Sequence, residues 1–183
     1  LATSNIGTVY LATGDYLAAL SNFHHALAIH TELGSRSGVA GTTANIGIVH
    51  NSTGDYPAAL SHFHRALSLY DELDDRRGVA AVTGTIGIVH DETGDYPAAL
   101  SHYHRTLALC EELGDRRGVA GTTCNIGTVH SNTGDYPEAL SHFHRALALC
   151  EELGHRPFAA NIMGNIGLVH ALTDDYPEAL SQF

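Results

Sequence analysis

The sequence predicts an all-α protein: an α-solenoid of antiparallel helix pairs, about four and a half units long. Three observations carry this. The segment Gly54–Leu67 returns almost unchanged at Gly94–Leu107 and at Gly134–Leu147, a spacing of 40 residues (94 − 54, and again 134 − 94). A looser copy opens at Gly14, and a last one starts at Asp174 and is cut off at Phe183. Within each copy, apolar residues fall at helical spacing between residues that stop and start helices. A unit this small cannot bury its apolar face alone, so successive units must stack. The expected units are about 1–37, 38–77, 78–117, 118–156 and a truncated 157–183, forming one array.

In the unit around Ala40–Leu73, residues from about 38 to 53 place Val39, Thr43, Ile46 and His50 at helical spacing, giving a helix A. Gly54 follows and can take the left-handed conformation that ends a helix. Asp55 then offers an N-cap carboxylate, and Pro57 stands in the first turn, where its missing N–H does no harm. Helix B runs from about Tyr56 to Leu73, with Ala59, Leu60, Phe63, Ala66, Leu67 and Tyr70 on one face. Asp74, and Gly34, Gly114 and Gly154 in the other units, mark its end. A short turn between two such helices forces them antiparallel. Gly47 in helix A, with Ala59 and Ala66 in helix B, lets the backbones approach closely, and Phe63 fills the space beside them. Helix A carries glycines and β-branched residues and depends on packing from its neighbours.

Length and composition exclude several functions. The chain has 183 residues and a hydrophobic content of 44%, ordinary for a soluble protein. No run approaches the roughly 20 apolar residues of a membrane helix, and no signal segment opens the chain. All nine basic residues are Arg and the formal charge is −11, so Schiff-base and P-loop lysines are absent and a phosphate-tracking surface is not expected. The three cysteines, Cys110, Cys124 and Cys150, are an odd set. Cys110 and Cys150 occupy equivalent positions about 10 Å apart, too far for a disulfide. They read as small buried hydrophobes in a reducing compartment, which points to the cytoplasm.

The residues Ile46-Gly47, Gly54-Asp55-Tyr56, Ala59, Phe63 and Ala66-Leu67, which stand in all full units with few changes, resemble the tetratricopeptide repeat over the whole chain. The usual unit has 34 residues. The six extra residues are expected to lengthen helix B and the connection Glu112–Ala120. This longer type resembles repeats of kinesin light chain, of spindle-orientation adaptors of the Leu-Gly-Asn type, and of bacterial signalling proteins. The resemblance implies a right-handed superhelix whose concave face, lined by A helices, holds a peptide. His50, His90, His130 and His170 stand where the family usually has Tyr, and Thr43 where a larger residue is common.

The groove positions that this resemblance implies are Asn5, Asn45, Thr85, Asn125 and Asn165, then Ile48, Ile88 and Thr128 just beyond the Gly, and Asn51, Asp91 and Glu92 further along. They make a small-walled, nearly neutral groove with a broken ladder of carboxamides. An Asn side chain can pair with both groups of a peptide backbone, or else with water and neighbouring helix carbonyls. No groove position is basic, so no clamp for a C-terminal carboxylate is expected. Asp91 and Glu92 form an acidic spot suited to a basic ligand side chain. Arg76, Arg77, Arg116 and Arg117, placed in the connection into the next helix A, either reach a ligand at the groove edge or pair with carboxylates such as Asp71, Asp75, Glu112 and Asp115.

Fourteen histidines raise the question of a metal. The pairs His62/His64, His102/His104 and His142/His144 point about 200° apart on a helix. Equivalent histidines in adjacent units sit about 10 Å apart, and zinc needs nitrogens about 2 Å from the ion. No metal site and no cofactor is expected. His50, His90, His130 and His170 should face their own helix B, so that stability falls between roughly pH 7 and 5. No phosphate loop or catalytic constellation stands out from the repeat, so an enzyme is not expected.

The chain begins inside a helix A and stops inside a helix B without polar capping helices, which suggests a fragment of a longer protein with adhesive ends. The first reading is a non-enzymatic interaction scaffold with a protein or peptide partner. The alternative is a structural solenoid that associates head-to-tail with itself, and a remote one is a metal-binding module. Neither nucleic acid nor a membrane is an expected partner.

Overall fold

The computed structural model describes residues 2–173, so the last copy, from Asp174, lies outside the described residues. Among the described residues there are nine α-helices and no strand: α1 (Ala2–Ala12), α2 (Tyr16–Glu32), α3 (Arg36–Ser52), α4 (Tyr56–Glu72), α5 (Arg76–Glu92), α6 (Tyr96–Glu112), α7 (Arg116–Asn132), α8 (Tyr136–Glu152) and α9 (Arg156–Leu172). Odd helices are the A helices and even ones the B helices. They fall into two compact units, Leu1–Thr93 with α1–α5 and Gly94–Phe183 with α6–α9. Within each unit every helix packs on the next, and the A helices also touch each other, α1 with α3, α3 with α5, and α7 with α9. This is an all-α solenoid built from helix pairs.

Local chemistry sets the boundaries. The turn from α3 to α4 is Thr53–Asp55. Gly54 adopts φ 78°, and the Asp55 N–H returns to His50 O at 2.9 Å, closing the end of α3. Asp55 Oδ1 then accepts the Ala58 N–H at 3.2 Å and caps α4, with Pro57 in its first turn. At the B-to-A turn, Asp74 takes φ 54° where other repeats use Gly, a conformation that costs a non-glycine residue about 1 kcal/mol.

One boundary differs from the sequence expectation. The A helices start at Arg36, Arg76, Arg116 and Arg156, two residues earlier than the pattern suggested. Asp75 Oδ1 accepts the Gly78 N–H at 2.9 Å and Asp115 Oδ1 accepts the Gly118 N–H at 3.0 Å, which makes these aspartates N-caps. Arg76, Arg77, Arg116 and Arg117 therefore stand in the first turn of α5 and α7. The connection is the three residues Leu113–Asp115, and the six extra residues are shared between the two helices. A guanidinium at a helix N-terminus opposes the helix dipole. The antiparallel hairpin offsets this by bringing it to the carboxylate end of its own helix B: Arg36 pairs with Glu72 and Arg116 with Glu152. These pairs are half exposed, worth under about 1 kcal/mol each.

The core is a series of similar sockets, filled by a Phe in α2, α4 and α8 and by Tyr103 in α6. Phe23, Phe63 and Phe143 are 0–1% exposed. Each lies against a glycine of its own helix A. A Cβ on Gly7 would come within 2.7 Å of Phe23, one on Gly47 within 2.7 Å of Phe63, and one on Gly127 within 2.9 Å of Phe143. The other side of the ring belongs to the next repeat. Ala19 and Phe23 cluster with Ile46 and Val49, while Ala59, Phe63 and Ala66 cluster with Val82, Ile86 and Val89. In the second unit Ala139, Phe143 and Ala146 join Ile162, Ile166 and Val169. Burial of each ring supplies about 2–3 kcal/mol.

Two glycines of the A helices separate close approach from plain helix weakness. A Cβ on Gly121 meets nothing within 4 Å. Gly121→Ala should raise unfolding stability by about 0.5–1 kcal/mol through backbone entropy and helix propensity. Gly47→Ala should instead lower it by about 1–2 kcal/mol, because Phe63 must leave its socket. Urea unfolding measures both, and a stabilised Gly47→Ala protein would contradict the socket.

Candidate functional site

Within the first unit the inner faces of α1, α3 and α5 meet along a seam. A concavity of about 350 Å³ opens there, and both Asn5 of α1 and Asn45 of α3 line it. Two members of the predicted ladder thus share one space. Asn45 is half-buried and Asn5 exposed. Thr85 of α5 breaks the ladder chemically as well as in sequence, since its hydroxyl donates to Ala81 O of its own helix at 2.9 Å. Ile48 is half-buried beside Asn45, and Ile88 is 37% exposed. Asn51 is half-buried, and its Oδ1 is buried with no hydrogen-bond partner. Asp91 is half-buried and engaged with a neighbour, whereas Glu92 is exposed.

In the second unit Asn125 and Asn165 are half-buried on α7 and α9. Asn165 Nδ2 donates across the seam to Cys124 Sγ at 3.8 Å, so this carboxamide ties adjacent A helices together. Burial pushes the Cys124 thiol up to about 11, outweighing that hydrogen bond. Cys110 and Cys150 are also raised, first by burial, and all three cysteines are free and buried. A thiol held protonated is a poor nucleophile. Thr128 donates its hydroxyl to Cys124 O at 3.2 Å. Of the four edge arginines, Arg116 is paired with Glu152 and Arg76 is engaged as well, while Arg77 and Arg117 are exposed.

Sequence reasoning missed a column under the seam. His30, Tyr70, Cys110 and Cys150 occupy one position in the last turn of successive B helices, and each lies at the first turn of the following helix A. A Cβ on Gly38 would sit 2.2 Å from His30 Nδ1, one on Gly78 2.3 Å from Tyr70, and one on Gly118 2.6 Å from Cys110 Sγ. Tyr70 crosses further, its hydroxyl 3.3 Å from where a Cβ of Gly41 would be. The signal was present in the sequence: this column changes through His, Tyr and Cys while Leu27, Leu67, Leu107 and Leu147, one turn earlier, stay constant.

The histidines pair across helices instead of along them. His50 of α3 stacks on His62 of α4 with ring centroids 5.3 Å apart and planes 9° apart, and His130 stacks on His142 at 5.5 Å and 10°. Parallel rings present faces, not nitrogens, to each other, so a pair cannot share a metal ion. Among the described residues no group of three or more His, Cys, Asp or Glu is placed to hold one. Asp55 lies 3.4 Å from His50 Nδ1 and Asp135 3.4 Å from His130 Nδ1. His62 is lowered by burial and then by the charges of His50, His24 and Arg65. His142 is lowered by burial and then by His130, against which Glu138, 3.5 Å from its Nε2, raises it.

With the geometry in place, the helix-pair solenoid identifies the class of protein. Profiles described as tetratricopeptide repeat match residues 38–112 and 118–183, and a second such profile matches 1–33. The chain belongs to the tetratricopeptide repeat family. Its fold is similar to BtubC (BKLC) from P. vanneervenii, with TM-score 0.85, 19% identity, and coverage of 98% of this chain and 75% of that one. It is also similar to the Rap conjugation gene regulator of plasmid pLS20 in complex with the Phr* peptide (TM-score 0.84, 17% identity, 98% and 50% covered). A third similar structure holds nearly identical repeats of a kinesin light chain from Podosopora anserina (TM-score 0.77, 10% identity, 99% and 90% covered). The chain spans about half the length of the Rap regulator. No curated protein matches the sequence. No helix among the described residues is long and apolar enough to cross a membrane.

The stacked imidazoles make a pH prediction. His62 and His142 titrate below their ordinary value in the folded chain, so the unfolded chain binds protons more readily. Their contribution is intact above about pH 6.5 and is lost as the pH falls through that value. The melting temperature should drop between roughly pH 7 and 5. It should drop less in a protein carrying His62→Gln and His142→Gln, and equal slopes in the two proteins would refute the assignment.

Proposed function

We propose that this chain is a non-enzymatic protein-interaction scaffold that holds an extended peptide along the inner faces of its A helices. The observation that carries the reading is the concavity shared by Asn5 and Asn45, where two carboxamides from successive A helices reach one space. Each can donate to a backbone carbonyl and accept from a backbone N–H, a match to an extended main chain of any sequence. Membership of the tetratricopeptide family and the likeness to a Rap regulator seen with a peptide support it. A basic ligand residue would lie beside Asp91 and Glu92. Nucleic acid is not a proposed partner: of the nine arginines, Arg36, Arg116 and Arg145 already hold carboxylates.

Arrayed dodecapeptides give the test. Peptides captured by the wild-type protein should bind the Asn45→Arg, Asn125→Arg double variant at least about tenfold more weakly, a loss of about 1.4 kcal/mol. The helical circular dichroism should stay unchanged. Undiminished capture by the double variant would reject the groove.

A further inference from the structure

The concavity of the first unit has a floor as well as walls. Besides Asn5 and Asn45 it is lined by His30 from α2, by Ser35 and Ser37 at the start of α3, and by Gly38. None of its lining side chains is a carboxylate or a guanidinium. A charged guest would leave water without a counter-charge, whereas a neutral guest with both donors and acceptors could be matched. His30 is the group that orients this chemistry. Its ring lies flat over Gly38, and its Nδ1 is buried with no hydrogen-bond partner. Keeping the proton on Nε2 spares a buried N–H without an acceptor, and makes Nε2–H a donor. The Ser35 oxygen accepts the Gly38 N–H at 3.4 Å, which leaves its own hydroxyl proton to donate.

We propose that this concavity is a side-chain specificity pocket for a carboxamide, the side chain of Gln or Asn in the bound peptide, and that His30 is its specificity-determining residue. This rests on the groove reading above and deepens it: the Asn ladder reads the main chain, and the seam floor reads a side chain. The carboxamide oxygen receives hydrogen bonds from the donor-rich floor, and its NH₂ donates to Asn or Ser oxygens. The same position carries Tyr70 in the next repeat, where the phenol crosses the seam towards Gly41. One repeat therefore has an open floor and its neighbour a filled one.

The test uses the whole chain and three probes, the N-acetyl, N-methylamide derivatives of Gln, Glu and Lys, titrated at about pH 8, above the ordinary imidazole range. Two-dimensional NMR follows the Gly38 amide and the side-chain NH₂ groups of Asn5 and Asn45. The Gln probe should give saturable shifts at these groups, and the Glu and Lys probes should bind at least about fivefold more weakly. His30→Tyr, the residue the next repeat tolerates against Gly78, should remove the Gln response while leaving the melting temperature near that of the wild type. Equal binding of Glu or Lys, absence of saturable shifts, or a Gln response that survives His30→Tyr would overturn the pocket. The groove reading would stand apart from that failure, since its own test includes Asn125 in the other unit and depends on extended peptides.

Discussion

The phenylalanine of α2, α4 and α8, seated against a glycine of its own A helix, is the contact on which the rest of the structure depends, with Tyr103 in its place on α6. The approach is too close for a Cβ at Gly7, Gly47 or Gly127. That closeness exposes the far face of the ring to the next repeat, where an Ile and a Val cover it. One side chain thus closes a helix pair and recruits the following one. The glycine weakens its helix by about 1 kcal/mol relative to alanine. Helix A is therefore stable only when packed, and pairing and stacking are a single cooperative event within each unit.

This explains why so much of the fold can be read from the sequence. Gly47, Ala59, Phe63 and Ala66 make the same contacts in one repeat after another, within the pair and onto the next, so their periodicity states the architecture. The start of helix A was harder to see. Asp75 and Asp115 read as turn residues until their carboxylates are found on the Gly78 and Gly118 amides. Arg76 and Arg116 then become helical, and the salt bridge from Arg116 to Glu152 spans a hairpin that no local pattern announces. The histidines were half legible: the pattern turned His50 and His130 toward their own helix B but did not name the partners. Spacing along one helix says nothing about His50 meeting His62 on the next.

Within the site, the ladder positions were legible and their chemistry only partly so. Asn5 and Asn45 share a space as their column suggests. Thr85 turns its hydroxyl back to its own helix, and Asn165 reaches a thiol on the neighbouring one. Identical columns do not imply identical partners, because small changes one turn away decide where a short polar side chain finds its hydrogen bond.

The floor column shows why variation collects where it does. His30, Tyr70 and Cys110 each oppose a glycine, and in the last repeat the order of sizes reverses, with Phe158 facing the small Cys150. The summed volume of the pair is not held fixed, since Cys110 faces Gly118 and Cys150 faces Phe158, and its chemistry changes with it. The pair can vary because it lies at the seam between repeats, away from the phenylalanine sockets, so a change there leaves each pair closed. Columns inside the socket have less freedom, Tyr103 and Thr106 of α6 being changes of a few atoms, since a single added carbon on Gly47 displaces Phe63. A repeat protein that separates these two sets of positions can alter what its inner face recognises, one repeat at a time, without altering how it stacks.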